Sequence, residues 1–147
     1  MPSTYSSLHY HIFWATKERR RLIEPAWKDR LHAWLGGCVR ELDGVALAVN
    51  GMPDHVHMLV GLKPVHSIAQ LMRVVKGESS EWIHDTLHVP LFEWQEGYTS
   101  ISVSPSAIAG VRRYVENQEA HHRQESFKEE LVALLEKAGI DYDERYL

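Results

Sequence analysis

His55 and His57 stand two residues apart in a run that is otherwise apolar: His55, Val56, His57, Met58, Leu59, Val60. In a strand, alternate side chains share a face, so both imidazoles project to one side while Val56, Met58 and Val60 anchor the other. Two imidazoles on one rigid face can ligate a divalent metal if a third donor comes from elsewhere. The same pair can also be two exposed or hydrogen-bonded histidines. Tyr114 and Gln118 are four residues apart in a stretch of helical period, which stacks them on one helix face. The neutral amide oxygen of Gln118 suits a hard cation such as Mg²⁺ or Mn²⁺, and the spacing would carry Tyr114 to whatever that ion polarises. A tyrosine beside the apolar stripe of Ile108, Val111 and Val115 is also ordinary packing, and the residue types leave both readings open.

His121 and His122 continue the same stretch. His121, seven residues after Tyr114, is a candidate accessory group that would tune the site or take a proton. The plainer reading is of helix-end histidines favoured by the negative end of the dipole. Lys17, Arg19, Arg20 and Arg21 form a basic run, Arg73 and Lys76 lie three apart on one helix, and Arg112 and Arg113 flank Tyr114. All eight are candidate phosphate contacts. Trp94 and Tyr98 are candidates for stacking on unpaired bases, or for core packing. The formal charge of −4 speaks against a protein that coats nucleic acid, yet the acidic residues gather from Glu116 to Glu144, which leaves room for a local basic face.

The elements that must position these residues follow from periodicity. Leu8, Tyr10, Ile12 and Trp14 alternate with His9, His11 and Phe13, which predicts a strand over 7–14. Trp27, Leu31, Trp34, Leu35, Cys38, Val39 and Leu42 recur at helical spacing, with Pro25 suited to the first turn. Strands over 45–50 and 55–62 flank Gly51, Met52, Pro53 and Asp54, a hairpin turn. Ser67 caps a helix whose buried stripe is Ile68, Leu71, Met72, Val75, Trp82 and Ile83, ending near His88 and Pro90. A fourth strand runs over 98–103. Ser104 and Pro105 then open a third helix that runs to about Gln124. Ser126 and Glu129 form a capping box before a last helix that Gly139 stops.

The order is strand, helix, strand, strand, helix, strand: an α+β, ferredoxin-like βαββαβ antiparallel sheet with two additional C-terminal helices. With 147 residues, 44% of them hydrophobic, one domain is expected over 1–147, its core at about 5–124 and a helical extension at about 126–147. The lone Cys38, among Trp34, Leu35 and Val39, excludes a disulfide framework and a cysteine zinc site. No run approaches the roughly 20 apolar residues of a membrane span and no secretory pattern opens the chain, so a cytoplasmic protein without a membrane partner is expected.

Several ordered motifs resemble the single-tyrosine His-hydrophobic-His (HUH) transposases of bacterial insertion sequences and their repeat-associated relatives. They are Tyr10 through Lys17, Pro53 through His57, Lys76 through Ser80, Trp94 with Gly97 and Tyr98, and Tyr114 through Gln118. The resemblance implies a homodimer that cleaves and rejoins single-stranded DNA at hairpin-containing element ends. By position it makes His55, His57 and Gln118 the ligands of Mg²⁺ or Mn²⁺ and Tyr114 the nucleophile, through a 5'-phosphotyrosine. In relatives the tyrosine helix can complete the partner's site. The rivals are a domesticated or non-catalytic protein that binds hairpins or repeats, and a hydrolase using metal-bound water.

Overall fold

Alternation along the strands decides which side of the sheet carries chemistry. The structure, a computed structural model, describes residues 3–123 and 125–147. Strands β1 (Leu8–Ala15), β2 (Val45–Met52), β3 (His55–Leu62) and β4 (Thr99–Val103) form one antiparallel sheet in the order β2-β3-β1-β4. Helices α1 (Lys28–Glu41) and α2 (Ile68–Asp85) supply the two crossovers, which makes this the expected ferredoxin-like arrangement. One face of β1 and β3, with Ile12, Trp14, Val56, Met58, Val60 and Leu62, packs on Leu31, Leu35, Val39, Leu71, Met72 and Val75. The opposite face, with Phe13, Ala15, His55, His57 and Leu59, is covered by the helices that follow β4. A sheet buried on both faces lets histidines be held as tightly as core residues.

The hairpin between β2 and β3 is tighter than the sequence suggests. Gly51 and Met52 belong to β2 and pair with Val56 and His55, leaving Pro53 and Asp54 as the turn. A Cβ at Gly51 would run into the carbonyl oxygen of His55, so only glycine lets the two strands approach here. Ser67 caps α2 by accepting from the backbone N–H of Gln70. Pro25 falls in a turn ahead of α1 instead of in its first turn. Trp34 is 37% exposed and stacks on Trp82 at 5.0 Å, outside the core.

The expected third helix is not continuous. After a short 3₁₀ turn at Pro105–Ala107, α3 (Ile108–Glu116) ends at Asn117, and α4 (Gln118–His121) starts anew. The Asn50 side chain donates to the carbonyl of Glu116 at 3.0 Å, satisfying a helix-end acceptor at this point. Gln124, where that helix was expected to stop, lies outside the described residues. The last helix, α5 (Phe127–Lys137), carries the full Ser126/Glu129 capping box and stops before Gly139, whose φ is +69°. Among the described residues three α-helices therefore follow β4 where two were expected. Among the described residues no helix is long and apolar enough to cross a membrane.

Candidate active site

β3 pairs with β1 so that His57 lies opposite Phe13 and His55 opposite Ala15, at the centre of the sheet. Both histidines are fully buried. The His57 ring stacks with Phe13 at 4.9 Å and with His11 at 5.0 Å, and the His55 ring stacks with Phe127 of α5 at 4.3 Å. Tight packing on both sides leaves each imidazole little freedom except along its ring nitrogens.

What those nitrogens meet is mainly Glu130, a carboxylate 1% exposed on α5. Its Oε1 lies 2.9 Å from His57 Nε2, 3.0 Å from His122 Nε2 and 3.4 Å from His55 Nε2. Its Oε2 accepts from the Tyr114 hydroxyl and, at 3.1 Å, from the Gln118 amide nitrogen. Gln118 is fully buried, and its Oε1 is 3.0 Å from His55 Nε2. The break at Asn117 sets Gln118 on a separate helix from Tyr114, yet both side chains still converge on the same carboxylate. His121 Nε2 is 3.3 Å from the Tyr114 hydroxyl and 2.8 Å from Glu125 Oε2.

The outer nitrogens fix the tautomers. Asp54 Oδ1, 2.7 Å from His55 Nδ1, and the Glu125 carbonyl, 2.6 Å from His122 Nδ1, are acceptors, so both Nδ1 atoms carry hydrogens. In neutral His55 and His122 the Nε2 lone pairs then point at the oxygens of Gln118 and Glu130. Lone pair facing lone pair is repulsive unless a proton or a cation lies between them. His57 Nδ1 is 2.7 Å from His11 Nε2, a contact that can hold an Nδ1 hydrogen and free Nε2 in the same way. One donor atom from each of His55, His57, His122 and Glu130 lies within 4.8 Å of all the others. Twice a bond of about 2.2 Å comes close to that spread. The donor set therefore fits a divalent metal, which would meet every inward lone pair at once.

Burial and the Glu130 carboxylate set the electrostatics of the cluster. Burial alone would raise the Glu130 carboxyl, but its contacts with His122 and His57 outweigh it and hold the group well below the usual carboxylate range. Burial lowers His57 to about 4, and burial together with His57 lowers His11 to about 3. Burial would lower His122 as well, but its hydrogen bond to Glu130 raises it on balance. Tyr114 is pushed well above the ordinary phenol value, by burial first and then by Glu130. The hydroxyl is thus held protonated and aimed at an anion. An open cleft of about 790 Å³, lined by Tyr114, Asn117, Ala120, His121, Glu125 and Glu129, leads to it.

The candidate phosphate contacts have mixed surroundings. Arg21, Arg73 and Arg113 are exposed. Lys17 pairs with Glu93 at 3.2 Å, Arg20 with Glu18 at 2.8 Å and Arg112 with Glu116 at 3.1 Å, all on the surface. Arg19 donates to the Leu147 carbonyl at 2.9 Å. Lys76 donates to the carbonyls of Gln95 at 2.6 Å and Gly97 at 2.9 Å, clipping the loop before β4 to α2. Trp94 is buried and donates to Ser79 Oγ at 3.0 Å, and Tyr98 packs against the main core, so both are packing residues.

Sequence reasoning missed Glu130 and His11 and gave His122 no ligand role. The signal for Glu130 was present: it sits three residues after Phe127 and four before Leu134, on the apolar face of its helix, where a carboxylate needs a partner.

Comparison with known proteins gives a consistent answer. The family model described as "Transposase IS200 like" matches residues 4–118. The chain is 26% identical over 117 residues to the ISDra2 transposase TnpA of Deinococcus radiodurans, covering 76% of this chain and 84% of that protein. A crystal structure of a candidate transposase from Deinococcus radiodurans R1 superposes with a TM-score of 0.65 at 28% identity, over 80% of this chain and 95% of the other. The structure of a REP-associated tyrosine transposase bound to a REP hairpin superposes with a TM-score of 0.62, over 83% of this chain and 73% of the other. At 13% identity that second likeness is one of fold.

Proposed function

The chain belongs to the IS200-like transposases, enzymes of the HUH type, and from that premise we propose that it cleaves and rejoins single-stranded DNA through Tyr114. The observation that carries the reading is that the Tyr114 hydroxyl and the inward nitrogens of His55 and His57 meet at one buried carboxylate. His55, His57 and Gln118 would hold a divalent ion, Mg²⁺ or Mn²⁺. When bound, such an ion supplies Lewis-acid stabilisation to a phosphate oxygen and charge compensation for a phenolate.

The chain's own residues do the rest. Phe13, His11 and Phe127 clamp the imidazole rings. Asp54 holds His55 in the tautomer that turns its Nε2 inward. Tyr114, hydrogen-bonded to Glu130 Oε2, attacks the scissile phosphorus, and His121, 3.3 Å from its hydroxyl, is placed to take the proton. The tyrosine becomes joined to the 5'-phosphate and the departing strand ends in a 3'-hydroxyl. Because one phosphodiester replaces another, a second 3'-hydroxyl can reverse the step and join strands without an added energy source.

The substrate we propose is a DNA hairpin next to single-stranded DNA, by analogy with the REP-hairpin complex of the structural neighbour. Arg21, Arg73 and Arg113 are exposed and would meet its phosphates, as would Lys17, Arg20 and Arg112 from their surface ion pairs, while Arg19 and Lys76 also donate to backbone carbonyls. Residues 1–147 would act as one catalytic domain, since the segment after Gln118 closes the same site. A homodimer would bring two such sites together for paired cleavages. Sedimentation equilibrium should give twice the chain mass, and a monomer at micromolar concentration would remove that part of the reading.

The reading is tested by incubating hairpins labelled at either end with protein and Mg²⁺ or Mn²⁺ and resolving the mixture on a denaturing protein gel. A covalent adduct that keeps the 3' label and needs the metal supports it. Hairpin binding without an adduct would favour the non-catalytic protein, and free products that persist in Tyr114→Phe would favour the hydrolase.

A further inference from the structure

Glu130 and His122 lie beyond Gln118, where the match to the family model ends, and yet they face the same point as His55 and His57. We propose that Glu130 is itself a ligand of the divalent ion through Oε1, with His122 beside it, and that Oε2 ties the Tyr114 hydroxyl to that centre. The proposal rests on the metal-dependent reading above and adds the C-terminal helix to the metal site.

Three observations carry it. A carboxylate 1% exposed on the apolar face of α5 is a costly placement unless cations or strong donors surround it. His55 already gives its Nδ1 hydrogen to Asp54, so in its neutral form it turns a lone pair and no hydrogen toward Glu130 Oε1 and Gln118 Oε1. An ion shared by these groups turns that repulsion into coordination. Finally, the two carboxylate oxygens have separate partners: Oε1 faces the three imidazoles, while Oε2 accepts from Tyr114 and Gln118. One side chain thus fixes the nucleophile relative to the ligand cluster.

The capping box at Ser126 and the Phe127–His55 stack set the start of α5, which places Glu130 at the required depth. Because α5 contributes a ligand, ion binding and α5 docking stabilise one another by the same factor.

Calorimetric titration of the full chain with Mn²⁺ tests this directly. Wild type should bind one ion, His57→Ala should lose it, and Glu130→Gln should weaken it by at least about tenfold. Affinity that is unchanged or tighter in Glu130→Gln, with His57→Ala still inactive in binding, would overturn the proposal and leave the underlying metal reading standing. Binding that survives in His57→Ala would overturn both. Two readouts need no variant. Hydrogen exchange across 127–137 should slow when Mn²⁺ is added to wild type, and pulsed electron paramagnetic resonance of the bound ion should count three imidazole nitrogens. Unchanged exchange, or two nitrogens, would overturn it.

Discussion

Burial makes His11 and His57 act as buried bases that resist protonation, and this gives the metal-free protein a definite pH response. In the unfolded chain both take up protons near pH 6.5, whereas in the folded chain they do so only near 3 and 4. Between those values the unfolded state binds more protons, so folding stability falls as pH drops from about 6.5 toward 4. His122 has the opposite sign: its raised value adds stability below its unfolded pKa that is lost as pH rises through the folded one. With chelator present, the urea midpoint should therefore fall on acidification through this window. Each unmatched proton contributes a slope of about 1.4 kcal/mol per pH unit. His11→Asn should flatten the profile; an equally steep profile in that variant would show that other groups control it.

At the scale of elements, the β2–β3 hairpin is the rigid part of the site. Gly51→Ala would force its methyl group into the His55 carbonyl, and strand separation there displaces the first histidine. We expect a loss of roughly 1–3 kcal/mol of stability in chemical denaturation, together with weaker Mn²⁺ binding. A variant with wild-type stability and affinity would mean that the hairpin accommodates the methyl freely. This strand pair was legible from sequence because alternation and turn residues are local signals: β3 begins and ends at the residues the pattern indicates. The α3–α4 break was not legible, because no proline or glycine marks it. At the break the Asn50 side chain, 66 residues earlier in the chain, donates to the Glu116 carbonyl. Gln118 was found through an i, i+4 spacing on a helix that is interrupted between the two residues. Both segments nevertheless bring their side chains to the same carboxylate.

For the whole molecule, the covered face of the sheet matters more than net charge. Helices on both faces bury the histidines, and residues 126–147, which sequence reasoning treated as a helical extension, bring Glu130 to them. Its capping box and its stop at Gly139 were readable, but its docking partner was not, since apolar periodicity says which face is buried and not against what. An ion that binds only the folded chain stabilises it by about 2.7 kcal/mol at one hundred times its dissociation constant. Thermal unfolding should accordingly shift upward with added Mn²⁺ and return with chelator in wild type, and should not move in His57→Ala. An equal shift in both would place the ion elsewhere.

The central claim is that Tyr114 forms the covalent bond to DNA, and the most direct measurement is peptide mapping of the adduct after nuclease digestion. The account predicts a nucleotide mass on the peptide containing Tyr114 in wild type and none in Tyr114→Phe. A nucleotide on another tyrosine, or an adduct that survives in Tyr114→Phe, would contradict it.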